Sequence, residues 1–263
     1  MVPNTRWVRF EHEGQSGFGS LQGPTILVHE GEMFAAPRAS GRTLGLADVK
    51  LLMPVRPGKV LALWNNYMAL AAKLGLPDPA EPLYFMKAPS SYLNPGESIV
   101  APSGQGKIVF EGELAIVIGK RAKAVSEADA LQHVFGYTCC NDVTAAEVLN
   151  RDASFAQWVR AKSYDSFCPL GPCIATGLDA SKLVVRTWLD GQLRQDYQVA
   201  DIRFSVPRLV SLISHDMTLE PGDVILCGTS IGVGSMKPGQ TVQIEIEGIG
   251  KLTNRFEAAK VSS

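Results

Sequence analysis

Residues Phe110-Glu111-Gly112-Glu113-Leu114-Ala115-Ile116-Val117-Ile118 set two carboxylates two positions apart at the head of an apolar run. On an extended strand such residues share a face. The run continues apolar on both faces, which puts the pair near the core. Two close, poorly solvated carboxylates repel, and a cation or a shared proton must compensate. The glycine between them lets another group approach the backbone closely. A third carboxylate, Asp142, follows the apolar stretch Phe135-Gly136-Tyr137-Thr138-Cys139-Cys140. Three carboxylates with no imidazole or thiolate partner specify a hard, oxygen-loving ion, Mg²⁺, Mn²⁺ or Ca²⁺ rather than Zn²⁺.

Lys162 lies in Trp158-Val159-Arg160-Ala161-Lys162-Ser163-Tyr164-Asp165. It is suited to binding an anionic substrate group or to stabilising developing negative charge. The loop Gly228-Thr229-Ser230-Ile231-Gly232-Val233-Gly234 lacks the Gly-Lys-Ser/Thr ending and the following helix of a nucleotide loop. Its backbone N–H groups suit a small carboxylate. Plainer readings compete. Glu111 and Glu113 would then line a solvated strand edge, Asp142 would be a turn or N-cap residue, and Lys162 a surface lysine paired with Asp165. The four histidines form no ligand spacing, and no G-x-S-x-G elbow is present.

Positioning these groups takes a β-rich α+β fold, since many short apolar stretches alternate with turns. Strands are expected at residues 59–64, 109–118, 135–140, 183–189, 224–227, 241–246 and 251–256, with Asp190-Gly191 closing a hairpin. Helices are expected at 68–74, closed by Gly75 and Pro77, at 143–149, and from Ser205 as N-cap. Ser126-Glu127-Ala128-Asp129 reads as a capping box opening a short helix toward His133. The prolines and glycine of Met53-Pro54-Val55-Arg56-Pro57-Gly58 mark a boundary between a small β-rich N-terminal domain, 1–57, and a larger domain, 58–263.

The chain has 263 residues, 46% hydrophobic and 19% charged, with 25 Gly and 16 Pro. That composition excludes disorder and a fold of long helices. With 25 basic and 26 acidic residues, the net charge of -1 leaves no basic footprint for nucleic acid and no polybasic membrane patch. No secretory signal and no apolar run of the ~20 residues a bilayer span needs is visible. Five cysteines without a C-x-x-C pair read as reduced, buried thiols of a cytoplasmic protein.

Six segments, taken in order, resemble the fumarylacetoacetate hydrolase family: Glu81-Pro82-Leu83-Tyr84-Phe85-Met86-Lys87, Phe110 to Leu114, Asn141-Asp142-Val143-Thr144-Ala145, Arg160 to Asp165, Gly228-Thr229 with Gly232-Val233-Gly234, and Ile246-Glu247-Gly248-Ile249-Gly250. The resemblance spans roughly residues 55 to 256. It implies a mixed β-sandwich roll, usually a homodimer, with a divalent metal held by Glu111, Glu113 and Asp142. Lys162 and Glu113 would be catalytic, and Lys162, Thr229, Tyr67, Asp165 and Arg151 would contact a small oxo-acid substrate. The implied chemistry is C–C hydrolysis of β-diketo acids in aromatic or related catabolism, with isomerisation, decarboxylation or hydration of similar oxo acids as the alternative.

Two departures bear on the reaction. Hydrolytic members carry a histidine and a glutamate on a lid after Asn-Tyr, whereas Asn66-Tyr67 here is followed by Leu70 and Lys73 at those places. Losing a general base costs a factor of about 10² to 10⁴. The arginine, acid and glutamine that usually follow the aspartate motif read Ala146, Glu147 and Leu149, which leaves Asn150 or Arg151 to hold the distal end. A metal-retaining binding protein without catalysis is the reading from another class.

Overall fold

The computed structural model describes residues 4–259. One twelve-stranded sheet runs in the order Arg38–Gly45, Thr25–Glu30, Gln15–Gln22, Arg6–His12, Cys168–Ala175, Val134–Asn141, Gly112–Ile118, Val224–Leu226, Val60–Trp64, Leu83–Lys87, with two short strands paired off this path. A five-stranded sheet, ordered Gln192–Gln198, Val184–Leu189, Thr241–Ile246, Gly250–Glu257 and Ile99–Val100, lies across it. The two share one apolar core, in which Leu114, Ile116 and Ile118 meet the layer of Val185, Ile244 and Ile246. The other face of the large sheet buries Ala115 and Val117 with Val60, Ala62, Val224 and Leu226. Every residue of Gly112–Ile118 is therefore buried, which explains its unbroken apolar run. This is the expected mostly-β sandwich.

The N-terminal strands belong to the large sheet, because Arg6 and Trp7 pair with Ala175 and Ile174. At the hairpin, Asp190 and Gly191 both take positive φ, 49° and 76°, as a two-residue turn of this type requires. Ser205 caps the helix Val206–Asp216 by accepting from the Arg208 N–H, and Val206, Leu209, Val210 and Ile213 form its buried face.

Three sequence expectations need correction. The strand expected over 109–118 is two strands, Ile108–Phe110 and Gly112–Ile118, which lie in different sheets. The chain changes sheets at Glu111, whose N–H is bonded by the Asn141 Oδ1 side-chain atom, while the Gly112 N–H is bonded by Gln195 Oε1. Side chains thus replace a ladder partner there. The helix expected over 143–149 begins only at Ala146, because Thr144–Ala145 pairs with Ile108–Phe110. The Ser126–Asp129 hydrogen bonds form, but they close a turn, and the only helix toward His133 is the 3₁₀ segment Ala130–His133.

Candidate metal centre and substrate cleft

Three elements deliver the carboxylates. Glu111 and Glu113 flank the sheet change, and Asp142 sits one residue beyond Val134–Asn141, which pairs with Gly112–Ile118 through Gly112–Asn141. One carboxylate oxygen from each of Glu111, Glu113 and Asp142 lies within 4.8 Å of the others. Glu113 and Asp142 are buried, at 1% exposure each.

Lys162 closes the cluster from the end of the helix Trp158–Lys162. Its Nζ donates to Glu111 Oε1 at 2.8 Å and to Asp142 Oδ2 at 2.6 Å. The surface pairing of Lys162 with Asp165 is therefore overturned: the ammonium is buried, and Asp165 is exposed. A second ammonium, Lys87, donates to Asp142 Oδ1 and has a fully buried side chain. Nothing in the sequence assigned Lys87 a role, although it ends a matched segment. No local pattern marks it: along this strand Leu83 and Met86 are exposed and only Lys87 is buried.

Further donors complete the frame. Thr144 Oγ1 donates to Glu111 Oε1 at 2.6 Å, and the Gly228 N–H donates to Glu113 Oε2 at 2.7 Å. The glycine loop thus does hold a carboxylate, but it is the protein's own. Thr229 Oγ1 donates to the Gly112 carbonyl at 3.0 Å and accepts from Gln195 Nε2 at 2.8 Å. Gly112 is needed for close approach: a Cβ there would stand 2.1 Å from Thr187 Oγ1.

The charges do not balance. Three carboxylates and two ammonium groups leave one net negative charge. Burial, then repulsion from Asp142, pushes the Glu113 carboxyl well above its usual range. Burial also raises Asp142, but Lys162 and Lys87 outweigh it and hold that carboxyl low. Burial opposes the charge on Lys162, yet Asp142, Glu111 and Glu113 raise its pKa on balance. Glu113 Oε1 is buried with no hydrogen-bond partner. An orphaned carboxylate oxygen among hard donors, in a cluster short of positive charge, fits a divalent cation.

A cleft beside Glu111 and Thr229 is roofed by the helix Met68–Leu74, with Tyr67 and Leu70 in its lining. Asp201 Oδ2 accepts the Ala69 N–H at the start of that helix, and Gly75 ends it at φ 65°. The cleft encloses about 10 Å³, room for no more than one water. The Tyr67 hydroxyl is buried without a partner, its ring edge-on to Tyr197 at 4.8 Å. Burial raises both phenols well above their usual pKa, so they stay neutral. Lys73 is exposed. Asn150 and Arg151 are exposed, and Arg151 Nη2 donates to Gln105 Oε1 at 3.1 Å at the surface. Of the residues read from sequence, the fold gathers Glu111, Glu113, Asp142, Lys162, Thr229 and Tyr67 around one centre, and it leaves Asp165 and Arg151 at the surface.

Residues 59–257 match the model of the fumarylacetoacetate (FAA) hydrolase C-terminal family, and residues 5–54 match a second, described as Rv2993c-like, N-terminal. The 4-hydroxyphenylacetate degradation bifunctional isomerase/decarboxylase of Escherichia coli is 40% identical over 243 residues, 91% of this chain and 53% of that protein. The crystal structure of 2-hydroxyhepta-2,4-diene-1,7-dioate isomerase from Mycobacterium marinum aligns with a TM-score of 0.90 at 38% identity, covering 98% of this chain and 100% of the other. That of the fumarylacetoacetate hydrolase from Exiguobacterium antarcticum aligns at 0.82 and 31%, covering 97% and 100%.

Proposed function

The chain belongs to the fumarylacetoacetate hydrolase family of enzymes, and from that premise we propose that it is a Mg²⁺- or Mn²⁺-dependent enzyme that isomerises or decarboxylates a small 2-oxo or 2,4-dioxo acid. The observation that carries this reading is the composition of the cleft. Among the described residues, no carboxylate apart from Glu111 at the cluster and no imidazole lines it; Leu70 occupies the roof. A hydrolase must activate water with a base in reach of the reacting carbon. Enol–keto shifts and decarboxylation need instead a site that stabilises negative charge on the oxo acid.

Glu111, Glu113 and Asp142 would hold the ion. When bound, it supplies Lewis acidity toward a 2-oxo carbonyl. The protein's own groups do the rest. Two buried lysines beside three carboxylates mean that a divalent charge would turn the centre from net negative to net positive, which favours an anionic substrate. Lys162 orients Glu111 and Asp142. The neutral Tyr67 hydroxyl, free of protein partners, is available to donate to a substrate oxygen, and Thr229 borders the same space. The Met68–Leu74 helix must shift for any 2-oxo acid to enter, because the space beneath it is too small.

Similarity to relatives named for 4-hydroxyphenylacetate degradation supports a place in aromatic catabolism. Hydrolysis of acylpyruvates is the second reading, favoured by the hydrolase structure at TM-score 0.82. A homodimer and a cytoplasmic location complete the proposal; light scattering at twice the chain mass would support the former. No helix among the described residues is long and apolar enough to cross a membrane.

The test is to incubate the protein and Mg²⁺ with oxaloacetate, an acylpyruvate and fumarylpyruvate while following the enol absorbance and the products. Decarboxylation or tautomerisation should outpace C–C hydrolysis. Hydrolysis as the dominant reaction would favour the second reading. No turnover of any of them, with oxalate still bound tightly, would mark a binding protein.

A further inference from the structure

Resting on the oxo-acid reading above, we propose that the substrate's distal substituent is uncharged and apolar, an alkyl or aryl group rather than a second carboxylate. Away from Glu111 and Thr229 the cleft is walled by Leu63, Trp64, Tyr67, Leu70, Ala71 and Leu76. Among the described residues no lysine, arginine or histidine lines it. The two ammonium groups at the centre are already committed, Lys87 to Asp142 and Lys162 to Glu111 and Asp142.

The remaining polar lining groups away from Glu111 carry no charge, and none is a cation that could pair with an anion. Asn66 is held in one orientation, donating one amide N–H to the Cys227 carbonyl at 2.8 Å and accepting from the Phe204 N–H at 3.1 Å. Asn65 Nδ2 donates to the Pro77 carbonyl at 2.9 Å. A carbonyl can only accept, so this bond fixes the Asn65 amide and leaves its oxygen, Oδ1, buried with no partner. A buried acceptor repels a carboxylate. The Tyr67 ring packs edge-on against Tyr197 at 4.8 Å.

The apolar surface continues outward. The Trp64 ring lies 5.0 Å from Trp158, and Trp158 stacks on Phe85 at 5.3 Å. Phe155 and Val159 beside it are 70% and 52% exposed. A substituent leaving the cleft on this side meets the ring faces and aliphatic carbon of Trp158, Phe155 and Val159, with Gln157 and Arg160 at the margin of the same surface. Each methylene buried there favours binding about fourfold, while a carboxylate desolvated without a partner loses far more.

Calorimetry on the full chain with saturating Mg²⁺ tests this with oxalate, 2-oxohexanoate and 2-oxohexanedioate, the last two differing only in the terminal carboxylate. We expect 2-oxohexanoate to bind about tenfold more tightly than the dioate, or better, and Leu70→Arg to abolish or reverse the preference. Equal or tighter binding of the dioate by the unaltered chain, or an unchanged preference in Leu70→Arg, would overturn the assignment of the distal end while leaving the head-group reading standing. Failure of oxalate and both oxo acids to bind would overturn that reading and this inference with it.

Discussion

At the residue scale, the centre is a problem in buried charge. Glu113, Asp142, Lys87 and Lys162 are all essentially out of water; Asp142 and the two lysines are paired there, whereas Glu113 keeps its Oε1 unpartnered. Lys87→Met removes one cation and leaves Asp142 held by Lys162 alone. In chelator the variant should be less stable by about 3 kcal/mol. Mg²⁺ should restore much of that loss, because the ion supplies the missing charge. Thermal unfolding with EDTA and with Mg²⁺ reads both effects, and an equal loss in each would mean that Lys87 acts through packing alone. The carboxylates themselves were legible in the sequence because acidic residues interrupt runs otherwise apolar. Lys87 was not, because nothing along the chain shows that it meets Asp142, 55 positions on.

At the element scale, the short helix Met68–Leu74 decides what the cleft can catalyse. Leu70 lines the cleft and Lys73, nearly a turn further on, faces solvent. Leu70→His combined with Lys73→Glu should raise acylpyruvate hydrolysis at least about tenfold, from a base brought within reach of water. No gain in product formation would mean that this helix does not present its side chains to the reacting carbon. The helix itself was readable from the closing residues Gly75 and Pro77. The break at Glu111 was not, because it depends on Asn141 and Gln195 supplying side-chain bonds to the backbone. Period-two patterning sees one continuous strand there. Local sequence records a residue's own preference, and the sheet change is a property of its distant partners.

At the scale of the whole molecule, the first strands and the carboxylate-bearing strands share one sheet. Arg6–His12 covers the edge of Cys168–Ala175, and Met33, Met53 and Val55 pack with Leu170, Ile174 and Val224. Removing residues 1–57 would expose that edge and its apolar face. The truncated chain should melt lower and aggregate; a monodisperse fragment with unchanged melting temperature would show that the larger unit folds alone. The β-rich class and the family were legible because they rest on many short segments in order. The continuity of the sheet across the proline-rich stretch was not, since a break in local structure says nothing about pairing beyond it.

The ion and the three carboxylates that would hold it are the centre on which the proposed chemistry depends. Calorimetric titration of Mg²⁺ followed by oxalate, on the unaltered chain and on Glu113→Gln, measures both. We predict that oxalate binds only after Mg²⁺, and that Glu113→Gln weakens Mg²⁺ at least about tenfold while the protein stays folded. Oxalate binding of equal strength in EDTA, or Mg²⁺ affinity unchanged in Glu113→Gln, would contradict the centre described above.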